Sequence, residues 1–224
     1  MIERLPLAAS DRLVFLGDYV DRGHDSKGVV AYLLELKNNA PQEIVFLKGN
    51  HEDMLLSYLG LPGHHGDMFL FNGGEATLTS YGVSGKKDPK EKILAAIPAA
   101  HLEFFKTLRT YYVMDGFLCV HAGINPAKTL DDQSEEELFW IRDEFIRRPH
   151  SLPYTVLFGH TPQPEVLCDW PYKIGLDTGL VYGNKLSCFE TSEKTLFQLH
   201  RHSRSVTATP LRGAWENTAR AFTA

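Results

Sequence analysis

The chain has 224 residues and a net charge of −5, with ordinary hydrophobic and charged fractions, which suits one soluble domain with a sizeable core. No block of Lys and Arg stands out, which counts against a nucleic-acid-binding surface. No apolar run approaches the roughly 18–20 residues that span a bilayer, and MIERLPLAASDR lacks the apolar stretch of a secretory signal.

In chain order, Leu13 to Leu16 is a short apolar run ending in Gly17-Asp18, so it reads as a buried strand entering a loop. Ser26 to Lys37 carries Val29, Val30, Leu33, Leu34 and Leu36 at helical spacing and reads as an amphipathic helix. Glu43 to Leu47 reads as a second buried strand closed by Gly49-Asn50, and Asp53 to Leu59 as the next helix. This order predicts a βαβ unit with a parallel strand pair. In such units ligands lie beyond the carboxyl ends of the strands. Leu61 to Lys90 is rich in Gly, His and Asn and reads as loops with short helical pieces. Glu91 to Arg109 reads as one or two helices, with Pro98 marking a break.

From Tyr111 the texture changes. Tyr111–Met114, Phe117–Val120, Thr155–Phe158, Lys173–Leu176, Lys185–Glu190 and Thr195–His200 read as short strands, with Asp115-Gly116 as a hairpin turn. Ser134 to Arg147 reads as one helix, with Ser134 and Glu137 forming a capping box. A βαβα half followed by a mostly β half predicts an α/β fold of two packed sheets with helices outside. The three cysteines, Cys119, Cys168 and Cys188, form no CxxC pair. They are expected to be buried thiols in a reducing cytoplasm.

Four polar segments each follow a β-rich apolar run: Gly17-Asp18-Tyr19-Val20-Asp21-Arg22-Gly23, Gly49-Asn50-His51-Glu52, Val120-His121-Ala122-Gly123 and Phe158-Gly159-His160-Thr161. Each puts an oxygen or imidazole group at a strand's end. One histidine after a strand is most often an ordinary hydrogen-bonded residue, but four such segments in one chain are hard to assign to coincidence.

The segments GDYVDRG, GNHE, HAG and GHT resemble the PPP family of phosphoprotein phosphatases, within the calcineurin-like metallophosphoesterases. They run in that family's order from Gly17 to Thr161, and the likeness extends more loosely to Asp177-Thr178-Gly179. Asn72-Gly73-Gly74 to Ser80-Tyr81-Gly82 and Trp140-Ile141-Arg142 are similar to segments of the smaller bacterial members. The resemblance implies the α/β/β/α metallophosphoesterase fold, with residues 1–224 as a single catalytic domain.

It also implies two divalent metal ions, and the mixed oxygen and nitrogen ligands suit Mn, Fe, Zn or Ni. Asp18 would be the carboxylate bridging the two ions, with Asn50, His121 and His160 completing one of them. Two such ions clamp a phosphate and lower the pKa of a bridging water. The hydroxide then attacks phosphorus directly, with no covalent phosphoenzyme. By the same resemblance His51 would be the general acid that protonates the leaving alkoxide, with Asp21 orienting its ring. Arg22 and Arg142 would clamp the phosphate together with Asn50, since a guanidinium matches phosphate oxygens. Arg142 falls on the expected helix 134–147, where a solvated face is the plain alternative. Asp177 reads equally as a support for the ligands or as a turn residue, His64 and His65 as surface residues, and Tyr19 as a packing residue.

The family's first motif, GDxHG, is absent: 17 residues stand ahead of Asp18 and none is His. The ligands present therefore complete one metal site. Either the recorded start lies downstream of the true one, with a strand and helix missing, or the chain is short. For the chain as written the expectation is reduced activity and a tendency to aggregate, since a missing central strand exposes ladder groups. The expected function is metal-dependent phosphomonoester hydrolysis, most simply as a Ser/Thr protein phosphatase of bacterial type. Its partner would be a phosphorylated protein or a small phosphomonoester. A dinucleoside tetraphosphate hydrolase and a catalytically impaired metal- or phosphate-binding module are the alternatives. No nucleic-acid or membrane partner is expected, and the oligomeric state is left open.

Overall fold

A computed structural model of the chain describes residues 1–211. The fold is α/β, with mixed sheets and flanking helices. The chain divides into two compact units: Ala9–Thr110, and Met1–Ala8 with the residues from Tyr111 onward.

In the unit Ala9–Thr110, β1 (Arg12–Phe15) and β2 (Glu43–Phe46) pair in parallel, with Leu13 opposite Ile44. The helix α1 (Ser26–Asn39) connects them. Its N-cap Asp25 accepts the Gly28 amide at 2.8 Å, and Val30 and Leu33 are buried. This is the βαβ unit that the spacing predicts. Leu47 continues β2 through an isolated bridge to Arg109.

The helix α2 (Asn50–Tyr58) starts three residues earlier than its apolar pattern indicates, because Glu52 folds back to accept the Gly49 amide at 2.9 Å. That side-chain cap brings Asn50 and His51 into the first turn. A 3-10 turn (Gly66–Met68), a π turn (Leu70–Gly74) and α3 (Glu75–Ser80) follow. The helices α4 (Lys90–Ala96) and α5 (Ala99–Lys106) are separated at Pro98, as expected. The core of this unit includes Phe46, whose ring lies 5.0 Å from Phe15 and 5.1 Å from Phe104.

The second unit holds β3 (Tyr111–Met114), β4 (Phe117–Val120), β5 (Thr155–Phe158), β6 (Leu167–Asp169) and β7 (Lys173–Gly175) in one sheet, ordered β3-β4-β5-β7-β6. The three central strands β4, β5 and β7 are parallel. The Asp115-Gly116 turn between β3 and β4 has positive φ at both residues, 45° and 81°, as a tight hairpin requires. The strands β8 (Lys185–Glu190), β9 (Thr195–His200) and β10 (Val206–Pro210) form an antiparallel sheet. Neither β6 nor β10 announces itself in the sequence. The first has three residues, and the second is an edge strand exposed along most of its length.

The segment expected as one helix from Ser134 to Arg147 is two: α6 (Glu135–Trp140) and α7 (Asp143–Ile146). Ile141 is extended, and Arg142 has φ −131° and ψ −107°. The spacing gave no warning, because Leu138 and Phe145 are seven residues apart and share a face across the break. Both are buried in a cluster with Leu118, Val120, Ile124, Phe139, Val156 and Phe158.

The capping box is present: Ser134 Oγ accepts the Glu137 amide at 3.2 Å, and Glu137 accepts the Ser134 amide at 2.9 Å. Glu137 also accepts from Asn125 Nδ2 at 2.7 Å and Lys128 Nζ at 2.9 Å. Burial raises its carboxyl pKa, but the bond from Lys128 and those from Ser134 and Asn125 outweigh this and bring it down to about 2. A depressed carboxylate contributes stability above its unfolded value of 4.5, and that contribution is lost as pH falls toward 2. Glu137→Gln is therefore expected to cost about 1–2 kcal/mol at pH 7 and progressively less below pH 4.5. Urea unfolding at pH 7 and pH 3 checks this; an equal cost at both would refute it.

Among the described residues no helix is long and apolar enough to cross a membrane. The thiols are free, but only Cys119 is buried; Cys168 and Cys188 are partly exposed, because they lie on strands with one accessible face.

Candidate active site

In the unit Ala9–Thr110, the loops after β1 and β2 leave adjacent parallel strands on the same side and so lie together. Their contact is close. A Cβ on Gly49 would collide with Asp18 Oδ1, so only glycine lets the Asp18 carboxylate approach the start of α2, where Asn50 follows.

The β1 loop is strained. Asp18, Asp21 and Arg22 have φ of 60°, 73° and 61°, a region that costs non-glycine residues on the order of 1–3 kcal/mol each. Such a loop persists only when its surroundings over-determine it. Glu52 supplies part of that restraint: its fully buried carboxylate accepts the amides of Asp18 (3.0 Å), Tyr19 (2.7 Å), Val20 (3.3 Å) and Gly49 (2.9 Å). Burial and then the nearby Asp18 carboxylate push its pKa up to about 7. Further along, the Asp21 amide donates to Thr77 Oγ1 at 2.7 Å, and the Arg22 amide donates to the Gly73 carbonyl at 3.2 Å.

Asp21, Asn50 and His51 are buried. His51 Nδ1 lies 2.6 Å from Asp21 Oδ2, and Thr77 Oγ1 donates to Asp21 Oδ1 at 2.7 Å. Burial pulls the His51 pKa down, but Asp18 and the hydrogen bond to Asp21 outweigh it, so the ring holds its proton above the usual value. Burial raises the Asp21 carboxyl, and the bonds from His51 and Thr77 limit the rise. With Nδ1 committed to Asp21, Nε2 is the nitrogen left to exchange a proton with a ligand. Arg22 is exposed.

In the second unit, His121 and His160 end β4 and β5, which pair in parallel with Phe117 opposite Thr155. Both rings are buried, and their centroids are 5.1 Å apart. The Gly159 amide donates to the His121 carbonyl at 2.7 Å and ties the two strand ends together. A side chain on Gly123, at φ 150°, would strike Phe145, so the HAG turn requires glycine. Arg142 is exposed at the α6–α7 break rather than on a helix face. Its neighbourhood meets the histidine pair once and the residue after His121 once: the Trp140 ring centroid is 6.1 Å from that of His160, and the Ala122 amide donates to the Leu138 carbonyl at 2.9 Å.

The paired, buried imidazoles of one unit, and the carboxylate beside a carboxamide of the other, are each donor types that divalent first-row cations accept. The donor chemistry in each unit therefore suits such an ion.

Tyr19 packs, its hydroxyl donating to the Leu47 carbonyl at 2.8 Å and its ring lying 5.5 Å from Phe104. Asp177 Oδ1 accepts the Gly179 amide at 2.9 Å, and its Cβ lies beside Gly159, so it has both a turn contact and a place next to His160. His64 is half exposed but not a bare surface residue, since its Nδ1 and amide both lie 2.9 Å from the buried Asp53 carboxylate. The sequence assigned no role to Glu52 or Thr77. Glu52 stands inside a quoted motif, so its position was the available signal; nothing in the sequence marks Thr77 as the partner of Asp21.

The sequence pattern of the family described as "Calcineurin-like phosphoesterase" matches residues 1–187. A protein of Schizosaccharomyces pombe named "Putative serine/threonine-protein phosphatase C22H10.04" is 30% identical over 155 residues, which is 68% of this chain and 41% of that protein. The chain thus spans about two fifths of that relative's length. A crystal structure described as "a putative diadenosine tetraphosphatase" superposes with a TM-score of 0.62 at 24% identity, covering 86% of this chain and 81% of the other. A cold-active protein tyrosine phosphatase superposes at 0.56 and 18% identity, covering 88% and 67%. At these identities the two structures show a shared fold.

Proposed function

This chain belongs to the calcineurin-like phosphoesterase family, and on that premise we propose that it hydrolyses phosphomonoesters, with phosphoserine and phosphothreonine in proteins as its substrates. The observation that carries the reading is the His51–Asp21 pair at 2.6 Å, a buried and oriented proton donor on the loops that also present Asp18, Asn50 and Arg22. The named relative supports the Ser/Thr assignment.

The proposed metal ligands are Asp18, Asn50, His121 and His160. Divalent cations there would polarise the phosphoryl oxygens and make water a better nucleophile at neutral pH. Arg22, Arg142 and the Asn50 carboxamide bind the phosphate oxygens. A guanidinium holds two of them in a fixed fork, which orients phosphorus. His51 Nε2 delivers the proton to the departing oxygen, and Asp21 fixes the tautomer that makes this possible. Mn is the cation we would supply first, and a cytoplasmic setting suits the free thiols.

Hydrolysis of dinucleoside tetraphosphates is the second reading, favoured by the fold likeness at TM-score 0.62. A phosphoserine peptide, a dinucleoside tetraphosphate and p-nitrophenyl phosphate, each assayed with Mn(II), separate the two. Peptide turnover at a kcat/KM above that of the dinucleotide is expected, and the reverse order would select the second reading. EDTA should abolish turnover of every substrate, and His121→Ala should weaken Mn(II) binding about 10-fold or more. Unchanged turnover in EDTA would remove the metal from the proposal.

A further inference from the structure

Lys173 is fully buried on the central strand β7, a position where a lysine is rarely found without partners. Its Nζ donates to the carbonyls of Phe145 (2.5 Å), Ile146 (3.1 Å) and Arg148 (2.6 Å). It also lies 3.7 Å from Asp169 Oδ2 and 4.7 Å from the centroid of the Phe145 ring. Three ammonium protons meet three carbonyls, so the charge is satisfied without water. All three carbonyls belong to the last turn of α7 and the residues after it.

That helix has four residues, too few to be stable alone, since nucleating a turn fixes several residues for one hydrogen bond. It exists because its two ends are held. At its start the amides of Phe145 and Ile146 both donate to the Arg142 carbonyl at 3.0 Å. At its end the Lys173 ammonium gathers the carbonyls of Phe145, Ile146 and Arg148, where a helix runs out of backbone donors of its own. Arg142, with φ −131° and ψ −107°, is therefore fixed from one side by α6 and from the other by a turn clamped to the sheet.

We propose that Lys173 is a positioning residue for phosphate binding: by clamping α7 to β7 it sets the direction in which Arg142 leaves the chain. This rests on the reading of Arg142 as a phosphate ligand. A buried lysine could have been only a helix cap. What argues for more is the placement of its target, one turn from Arg142, in a segment whose Trp140 contacts His160. Displacing a binding group by about 1 Å can cost on the order of 10²-fold, so a loosened α7 should be felt at the phosphate.

The test uses the full chain with Mn(II) and two readouts: the dissociation constant of inorganic phosphate, and kcat and KM for p-nitrophenyl phosphate. Arg142→Ala should weaken phosphate binding and raise KM by about 10-fold or more. Lys173→Met, which keeps the stem and removes the donors, should weaken both by a similar factor, with a smaller fall in kcat, at a temperature where circular dichroism shows the fold intact. Combining the two substitutions should add little to either alone, because both act through one guanidinium. Should Lys173→Met not fold, Lys173→Arg takes its place. Its planar fork cannot reproduce three converging bonds, so it should show the same loss of phosphate affinity in milder form.

A variant at Lys173 that melts earlier yet binds phosphate like the wild type would reduce the lysine to a cap and overturn the inference. So would full additivity with Arg142→Ala. If Arg142→Ala itself leaves phosphate binding unchanged, the reading of Arg142 falls first, and the failure lies there rather than with Lys173.

Discussion

Replacing His51 by asparagine should lower kcat on a phosphoserine peptide by about 10²–10⁴-fold, and on p-nitrophenyl phosphate by far less. The difference follows from the leaving groups. A serine alkoxide is a strong base and leaves only as a proton reaches it, whereas p-nitrophenolate departs without one. The geometry supports the assignment independently of the leaving group. His51 is buried in the first turn of α2, its Nδ1 is held 2.6 Å from Asp21, and Thr77 holds the other carboxylate oxygen at 2.7 Å.

Burial lowers the affinity of the ring for its proton, and Asp18 and Asp21 restore it. A cation bound at Asp18 would offset the first of these, leaving the Asp21 bond as the lasting one. Asp21→Asn should therefore repeat the His51 effect in weaker form, again selectively for the poor leaving group. Measured kcat values on both substrates decide the matter. An equal loss on the two would mean that His51 organises the site rather than donating a proton, and would falsify its role as the acid.

Glu52→Ala should destabilise the unit Ala9–Thr110 by about 3–5 kcal/mol, because a buried amide left without its acceptor costs about 1–3 kcal/mol. Four backbone amides lose their acceptor at once, from Asp18, Tyr19, Val20 and Gly49. They belong to two different loops, so the cost is one of assembly as well as of hydrogen bonding. Without this tie Asp18 loses the acceptor that its amide meets at φ 60°, and the seat of its carboxylate against Gly49 is loosened.

Glu52→Gln retains the shape and one acceptor oxygen, but it turns an NH2 group toward amide donors. It should cost about half as much and should weaken Mn(II) binding more than its effect on stability alone would indicate. Urea unfolding midpoints and Mn(II) titration of the two variants provide the measurement. A Glu52→Gln protein equal to the wild type in both would show that the loops are held by other means.

How much was legible beforehand depended on how local the cause was. The parallel pair β1–β2, the break at Pro98, the Asp115-Gly116 hairpin and the Ser134–Glu137 capping box each follow from a few neighbouring residues, and each is present. The four polar segments were readable for the same reason, since a motif at the end of a strand carries its own context. Where a distant side chain decides the backbone, the sequence pointed elsewhere. The start of α2 at Asn50 is the local exception, set by Glu52 folding back onto Gly49 three residues away. The expected helix 134–147 divided in two, with β7, by way of Lys173, claiming the carbonyls at its far end.

The sequence by itself determined the family, the order of the strands that carry the motifs, and the residue types offered to a metal and a phosphate. The family rests on the likeness of the GDYVDRG, GNHE, HAG and GHT segments to a known pattern, and the other two on residues that the chain states directly. Only the tertiary structure decided that three residues of the GDYVDRG loop occupy left-handed conformations, that their amides meet Glu52, Thr77 and the Gly73 carbonyl, and that Arg142 stands at a break instead of on a helix. The physical reason is that backbone strain and buried charge are tolerable only where partners remote in sequence satisfy them. Asp21 and Thr77 are separated by 56 residues, and Lys173 and Phe145 by 28.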